Sequence, residues 1–448
     1  MNKNYDIVII GGGPAGLVSA VTAHRYYPEK TIALVKNIEN GCIPCGIPYM
    51  FFSLSDPGEN KMGTVPLKKI GAEVISDEVT SLDCKRKKVI LKNKLEIGYD
   101  KLILATGSSP LMPPIPGIHK KGVYPVHKDM DYLIPSIEKV KRSKHVVVIG
   151  GGFIGVEFAD EISQIKGIDV TLIEVMDRLL INSFDSEFSQ MAEEKLASKN
   201  IRVITNTKVE EIIGGDTVEK VRLSSGEVLS TDSVILGTGA LPNTELAVSA
   251  GLDIGKGKGI WVDEYMRTVD PDVFAVGDCA GKRDFYTRKD TPVLLASTAT
   301  AEARIAGANL FKLKVVRENK GTIAIYSTYV DGLVMGSAGL TEANAKKENF
   351  EIITGTADAM DKHPATLPGA NKVHVKLIFS KKSGIILGGQ VAGGMCCGEL
   401  INIIGMAIQQ RVSSTELETL QMATHPFVTA APTMYPIVKA AFEASGQY

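Results

Sequence analysis

Two cysteines stand two residues apart in "NIENGCIPCGIPYMFF", residues 37–52. A thiolate is both a nucleophile and a metal ligand, so Cys42 and Cys45 admit three readings. They are a redox pair at C-x-x-C spacing, half of a metal site, or one working thiol, Cys45, beside a small apolar filler, Cys42. A structural zinc needs four ligands, and no second suitable pair accompanies this one. Pro48 and the residues beyond it suit the first turn of a helix. Cys45 would then lie at a helix N-terminus, where the dipole and free N–H groups stabilise a thiolate. The remaining cysteines suggest less chemistry. Cys396 and Cys397 are adjacent, a geometry that strains a disulfide, and read as structural. Cys84 and Cys279 read as strand and turn residues without a role.

Two glycine-rich turns have the spacing to hold nucleotides. In "YDIVIIGGGPAGLVSAVTAHRYYP" an apolar strand, Asp6 to Ile10, meets Gly11, Gly13 and Gly16 and then a helix. In this G-x-G-x-x-G pattern Gly11 permits the tight turn, Gly13 lets the backbone approach a pyrophosphate, and Gly16 lets helix and strand pack closely. The helix start offers N–H groups and partial positive charge to phosphates. "HVVVIGGGFIGVEFADEI" repeats the arrangement with Gly150, Gly152 and Gly155 after a strand from His145 to Ile149. The next strand, "IDVTLIEV", ends at Glu174, about 20 residues on, where an acid grips ribose hydroxyls. No Arg takes that place, which favours NADH over NADPH. The first turn departs from the pattern: "KTIALVKN" has Val35 and Lys36 where the acid is expected, and Glu39 falls in the loop beyond. A kinase-type glycine loop is excluded, because no catalytic-loop or metal-binding signature accompanies it.

These elements sit in a chain of 448 residues, long enough for two or three domains. Its 44% hydrophobic and 23% charged content is that of an ordinary soluble protein. A net charge of −1 argues against nucleic acid or an anionic membrane as the main partner. Six cysteines in this length make no disulfide framework. "MNKNYDIVIIGGGPAGL" runs straight into a strand without the pattern of a signal peptide, and no apolar run spans a bilayer. The expectation is a cytoplasmic protein with reduced thiols.

Together with further segments, these turns resemble the pyridine nucleotide–disulfide oxidoreductases, the flavoenzymes related to glutathione reductase. "YDKLILATGSSP" matches the family's A-T-G turn at Ala105 to Gly107, and "TDSVILGTGALPNTEL" its second such turn, Gly237 to Gly239, with Pro242 and Asn243 following. "TVDPDVFAVGDCA" matches the second flavin-binding motif, with Gly277 and Asp278, and "LASTATAEARIAGANL" the helix after it. The resemblance implies an α/β fold of two nested doubly wound nucleotide-binding domains and a C-terminal α+β dimerisation domain. FAD would be held by residues 1–113 and 246–324, NAD(P) by 114–245, and the dimer by 325–448. Asp278 would accept a hydrogen bond from a ribitol hydroxyl beside Gly277. Phe153 would cover the flavin face where nicotinamide docks. Glu157 would lie close to the nicotinamide, or serve as an ordinary helix residue.

The two-cysteine members carry cysteines four residues apart, a spacing absent here. Cys45 followed by "GIPY" is instead similar to the single-cysteine branch of coenzyme A disulfide reductases and NADH oxidases. His425–Pro426 matches a His-Pro that reaches across the dimer in two-cysteine reductases as acid–base for the thiols, although the supporting glutamate is missing. His363, in "DKHPATLPG", reads as a loop residue. Pro14 stands where peroxidases and oxidases of the branch often have a histidine. The implied enzyme takes hydride from NADH, with NADPH as a possibility, through FAD to a disulfide, persulfide or polysulfide at Cys45, with no resident metal. The alternatives are an NADH oxidase reducing oxygen, an electron-transfer reductase of a small redox protein, and a non-enzymatic flavin sensor.

Overall fold

The computed structural model describes residues 3–316 and 319–447. Strand β1 (Lys3–Ile10) feeds α1 (Pro14–Tyr26), β2 (Ile32–Lys36) returns parallel to β1, and β3 (Glu73–Ser76) and β4 (Glu96–Leu104) follow. The second glycine turn joins β5 (His145–Ile149) to α2 (Phe153–Ser163), with β6 (Asp169–Ile173), β7 (Arg202–Ile204) and β8 (Ser233–Leu236) after it. Then come β9 (Val273–Ala275) and α3 (Ala296–Ala308). The C-terminal part holds β10 (Ile325–Val330), β11 (Leu333–Gly339), β12 (Ile352–Met360), β13 (Lys372–Ser380), β14 (Ile386–Gly393), α4 (Cys397–Gln410) and α5 (Pro436–Ser445).

The chain forms two compact units. The first comprises the chain up to Met112, Pro125–Lys139 and Gly239–Thr322; the second comprises Pro113–Tyr124, Val140–Thr238 and the chain from Ile323. In the first unit β3, β2, β1 and β4 lie in that order, all parallel. Although β9 comes some 170 residues after β4 in sequence, it pairs with it, Val273 opposite Leu102. That pairing returns the chain to the first sheet after the second glycine motif, so the nucleotide-binding architecture is nested. Ile7–Ile10, Ile32–Val35 and Leu102–Leu104 are all buried. A parallel sheet covered on both faces requires such unbroken apolar runs rather than alternation.

In the second unit β7, β6, β5 and β8 form a parallel run of the same design. The C-terminal strands make an antiparallel sheet in the order β10-β11-β14-β13-β12. α4 packs on β11 and β14, and α5 on β12. Among the described residues no helix is long and apolar enough to cross a membrane.

One expectation fails locally. No helix begins at Cys45. The segment forms two single-turn 3₁₀ helices, Pro44–Gly46 and Pro48–Met50, with Cys45 in the middle of the first. Prolines at 44 and 48 lack the N–H needed to continue a ladder. A one-turn helix sums too few peptide dipoles to act as a macrodipole, so no helix dipole stabilises a thiolate at Cys45.

Candidate active site

The two glycine turns have the same geometry. Gly11 has φ +119°, and a Cβ on it would sit 2.0 Å from the Ala105 carbonyl oxygen; Gly150 has φ +108°, with the Gly237 oxygen 2.5 Å from such an atom. A Cβ on Gly16 or Gly155 would collide with the carbonyl of Gly11 or Gly150, at 2.0 and 1.8 Å. The middle glycines differ in kind. Gly13 and Gly152 are the N-caps of α1 and α2, in extended backbone near φ −78° and −77°, and a Cβ on either would meet nothing within 4 Å. Neither helix start is capped by a side chain or carries an acid in its first turn. Open space beside uncapped N–H groups at both turns fits the pyrophosphates of two dinucleotides.

Behind the second turn, Glu174 follows β6 and its carboxylate accepts hydrogen bonds from the N–H groups of Gly151 and of Met176, the latter at 2.8 Å. This fixes the carboxylate at the glycine turn, where ribose hydroxyls would be received. At the first turn Lys36 holds the corresponding place. Its Cβ lies 3.0 Å from a Cβ built on Gly12, as Glu174 Cβ lies 2.9 Å from one built on Gly151. Lys36 Nζ donates to the Glu39 carbonyl at 2.6 Å. A lysine thus stands at the first turn where the second turn has an acid.

In the first unit the A-T-G turn at Ala105 to Gly107 is strapped to the segment that follows Gly239. Gly107 and Gly239 have φ +70° and +95°. Asn243 N–H donates to the Gly107 oxygen at 3.0 Å, and Thr106 Oγ1 to the Asn243 oxygen at 2.7 Å. Asp278 follows β9. Its carboxylate accepts from Ser108 Oγ at 2.7 Å and from Lys128 Nζ at 3.0 Å. Burial works to raise the Asp278 pKa, but the Lys128 charge and these hydrogen bonds outweigh it and hold the carboxyl below its ordinary value. Gly277 is clamped by a buried ion pair. Its N–H donates to Glu302 at 2.9 Å, its oxygen accepts from Lys282 at 2.6 Å, and Lys282 and Glu302 lie 3.1 Å apart. Lys128 and Glu302 escape a motif search because only the fold brings them to Asp278 and Gly277.

All six cysteines are thiols. Cys45 is exposed and Cys42 buried. Burial pushes the Cys42 thiol up to about 11, against the smaller opposing effect of the Lys128 charge. The turn is held by Asn60, itself buried. Its Nδ2 donates to the Ile43 carbonyl at 3.1 Å, while Ile43 N–H donates to the Asn60 carbonyl at 3.0 Å. A Cβ on Gly46 would lie 2.0 Å from Asn60 Oδ1, so a side chain there would push the Asn60 amide out of the turn.

On the second unit, Phe153 opens α2 and Glu157 lies one turn on, half-buried. Burial pushes the Glu157 carboxyl up to about 7, although it accepts a hydrogen bond from Thr328 Oγ1 at 2.8 Å. His425 is exposed, in a turn where its Nδ1 accepts from the Phe427 N–H at 3.3 Å. Cys396 and Cys397 lie where β14 gives way to α4. His363 lies in a loop, its Nδ1 3.0 Å from the Thr429 carbonyl oxygen.

Comparison with known proteins accords with this geometry. Residues 5–303 match the pyridine nucleotide-disulphide oxidoreductase family, and residues 325–435 match that family's dimerisation domain. An NADH oxidase of Methanocaldococcus jannaschii is 31% identical over 433 residues, 94% of this chain and 95% of that protein. The NAD(P)H coenzyme A polysulfide/persulfide reductase of Pyrococcus horikoshii is 34% identical over 401 residues, 88% of each. The solved structure of an NAD-dependent persulfide reductase from A. fulgidus superposes with TM-score 0.90 at 31% identity, covering 99% of this chain and 83% of that one. With two dinucleotide cradles nested in one chain and a dimerisation domain after them, the protein belongs to the pyridine nucleotide-disulphide oxidoreductase family, as an FAD-dependent enzyme that oxidises NAD(P)H.

Proposed function

We propose that the enzyme reduces a sulfur–sulfur bond, in a disulfide, persulfide or polysulfide, with Cys45 as its single working thiol. The observation that carries this reading is the contrast between the two cysteines: Cys45 is exposed, whereas Cys42 is buried with its pKa raised. The names of the relatives from Pyrococcus horikoshii and A. fulgidus support a sulfur substrate. FAD supplies the two-electron relay between nicotinamide and sulfur. Asp278, kept ionised by Lys128, receives a ribitol hydroxyl, and Gly13 and Gly152 admit the two pyrophosphates. Phe153 and Glu157 serve the nicotinamide, and Glu174 the adenosine ribose, which disfavours a 2′-phosphate and so NADPH.

The Cys45 thiolate attacks one sulfur of the substrate, RSSR′. A Cys45–SR bond forms, the S–S bond breaks, and R′S⁻ leaves to take a proton. The electron pair from NAD(P)H then breaks the Cys45–SR bond, releasing RS⁻ and restoring the thiolate. The sum is RSSR′ + NAD(P)H + H⁺ → RSH + R′SH + NAD(P)⁺. His425 of the partner copy in a homodimer, as the imidazolium, gives its proton to the leaving thiolate and regains one from solvent. Exposed Met395, Met406, Phe427, Val428 and Phe442, all in the C-terminal part, support such an interface. A reduced cytoplasmic compartment suits a working thiol of this kind.

A second reading, reduction of oxygen, is favoured by the NADH oxidase relative. Cys45→Ser decides between them. Its anaerobic disulfide reduction should vanish while FAD stays bound. Retained disulfide turnover in the variant would overturn the sulfur mechanism. Oxygen consumption in the wild type faster than disulfide turnover would select the second reading.

A further inference from the structure

In the second unit β10 runs beside α2, and two residues on one face of the strand meet two residues on one face of the helix. Tyr326 stacks on Phe153, with ring centroids 4.8 Å apart and planes 21° from parallel. Thr328 donates its hydroxyl to Glu157 Oε1 at 2.8 Å. The match is geometric. Two residues along a strand rise about 6.6 Å, and one step of four along a helix about 6 Å, so a strand i, i+2 pair registers with a helix i, i+4 pair. The sequence "IYSTYV" shows only a strand of period two; which helix face it braces is decided by the fold.

We propose that Tyr326 and Thr328 are positioning residues for the nicotinamide, Tyr326 setting the plane of Phe153 and Thr328 fixing the carboxyl of Glu157. The inference rests on the reading of Phe153 and Glu157 as nicotinamide-side residues. It makes the first strand of the dimerisation domain a working part of the nicotinamide site in its own chain.

The charges around Glu157 make Thr328 matter. Burial, and then the charges of Glu161 and Asp160 on the same helix, raise its pKa, and the Thr328 hydrogen bond opposes them. Asp160 is turned to the Asp331 N–H at 3.0 Å, beyond the end of β10, and Asp331 itself pairs with Lys195 and Lys199 at 3.1 and 3.2 Å. On the face of β10 that carries Thr328 the titratable side chain is Tyr326, whose own pKa burial raises, while Tyr329 points to the other face and is exposed. Within this set Thr328 is the neutral donor on the carboxylate, so its loss should raise Glu157 further.

The test uses the holoenzyme. Anaerobic flavin reduction by NADH is followed against pH in wild type, Thr328→Val, Thr328→Ser, Glu157→Gln and the Glu157→Gln/Thr328→Val double variant. NAD⁺ affinity is measured by calorimetry in Tyr326→Leu and Phe153→Ala. Thr328→Val should move the inflection up by about one pH unit, the scale of one hydrogen bond to a carboxylate. Thr328→Ser should restore it, and the double variant should match Glu157→Gln. Tyr326→Leu should weaken NAD⁺ about 3- to 10-fold, the scale of a stacked aromatic pair, with reoxidation by disulfide unchanged. If Glu157→Gln and Phe153→Ala leave flavin reduction and NAD⁺ affinity as in wild type, the underlying reading fails. If they act but Thr328→Val leaves the inflection in place, or shifts the rate equally in the Glu157→Gln background, the role of Thr328 is overturned. Wild-type NAD⁺ affinity in Tyr326→Leu would overturn that of Tyr326.

Discussion

The glycine turns separate fold from binding, and Gly152→Ala tests the separation. Gly152 has φ −77° and ψ −175°, backbone that alanine adopts freely, and the added methyl meets no protein atom within 4 Å. Alanine narrows the unfolded ensemble, worth about 0.4–1 kcal/mol, but is a poorer N-cap than glycine by a similar amount. The two offset, so the melting temperature should stay near wild type. The open space the methyl enters is the space assigned to the pyrophosphate. Loss of one charge-assisted hydrogen bond there costs about 1.5–3 kcal/mol, a rise in Kd of about 10- to 150-fold. Gly150→Ala should behave differently. At φ +108°, with the Gly237 oxygen 2.5 Å from the new Cβ, it strains the turn itself and should lower both stability and affinity. NAD⁺ titration calorimetry with thermal unfolding measures both, and retention of bound FAD serves as the internal control. Wild-type NAD⁺ affinity in a stably folded Gly152→Ala would refute the assignment of that space to the dinucleotide.

Other consequences follow from the same geometry. Cys42→Ser should take up the same number of electron pairs from NADH as wild type in an anaerobic titration; one pair fewer would make Cys42–Cys45 a redox disulfide. Gly46→Ala should drive Asn60 from the Cys45 turn and cut disulfide turnover at least tenfold with FAD retained, and unchanged turnover would mean that Asn60 does not hold the turn. Lys128→Met should leave Asp278 with a higher pKa. In wild type the depressed Asp278 pKa contributes stability that is present above the ordinary carboxylate value and is lost as pH falls through the folded-state value. The variant should therefore release FAD at higher pH during acidification, read by flavin fluorescence, and an unmoved release curve would show that Lys128 does not hold Asp278 ionised.

Much of this protein is legible in its sequence because the informative signals are local. A G-x-G-x-x-G turn is recognisable from about six residues, since each glycine answers a steric demand within one strand–turn–helix unit. Both turns, Glu174 after its strand and the missing acid at Lys36 follow from such spacing. The Cys45 segment was harder. Its prolines suit a helix start, yet they recur too closely for a ladder to propagate, and the turn is fixed by Asn60, which no motif announces. Only the tertiary structure brings Lys128 and Ser108 to Asp278, clamps Gly277 between Lys282 and Glu302, and lays Tyr326 and Thr328 against Phe153 and Glu157. Apart from Gly277–Lys282, five residues apart, those contacts join residues from 25 to 173 positions apart. Sequence spacing carries no signal at that range, because the pairing depends on how sheets and helices pack rather than on any single chain segment. The sequence determined the two strand–glycine–helix turns and the family they belong to. The packing decided the charge state of the residues around them.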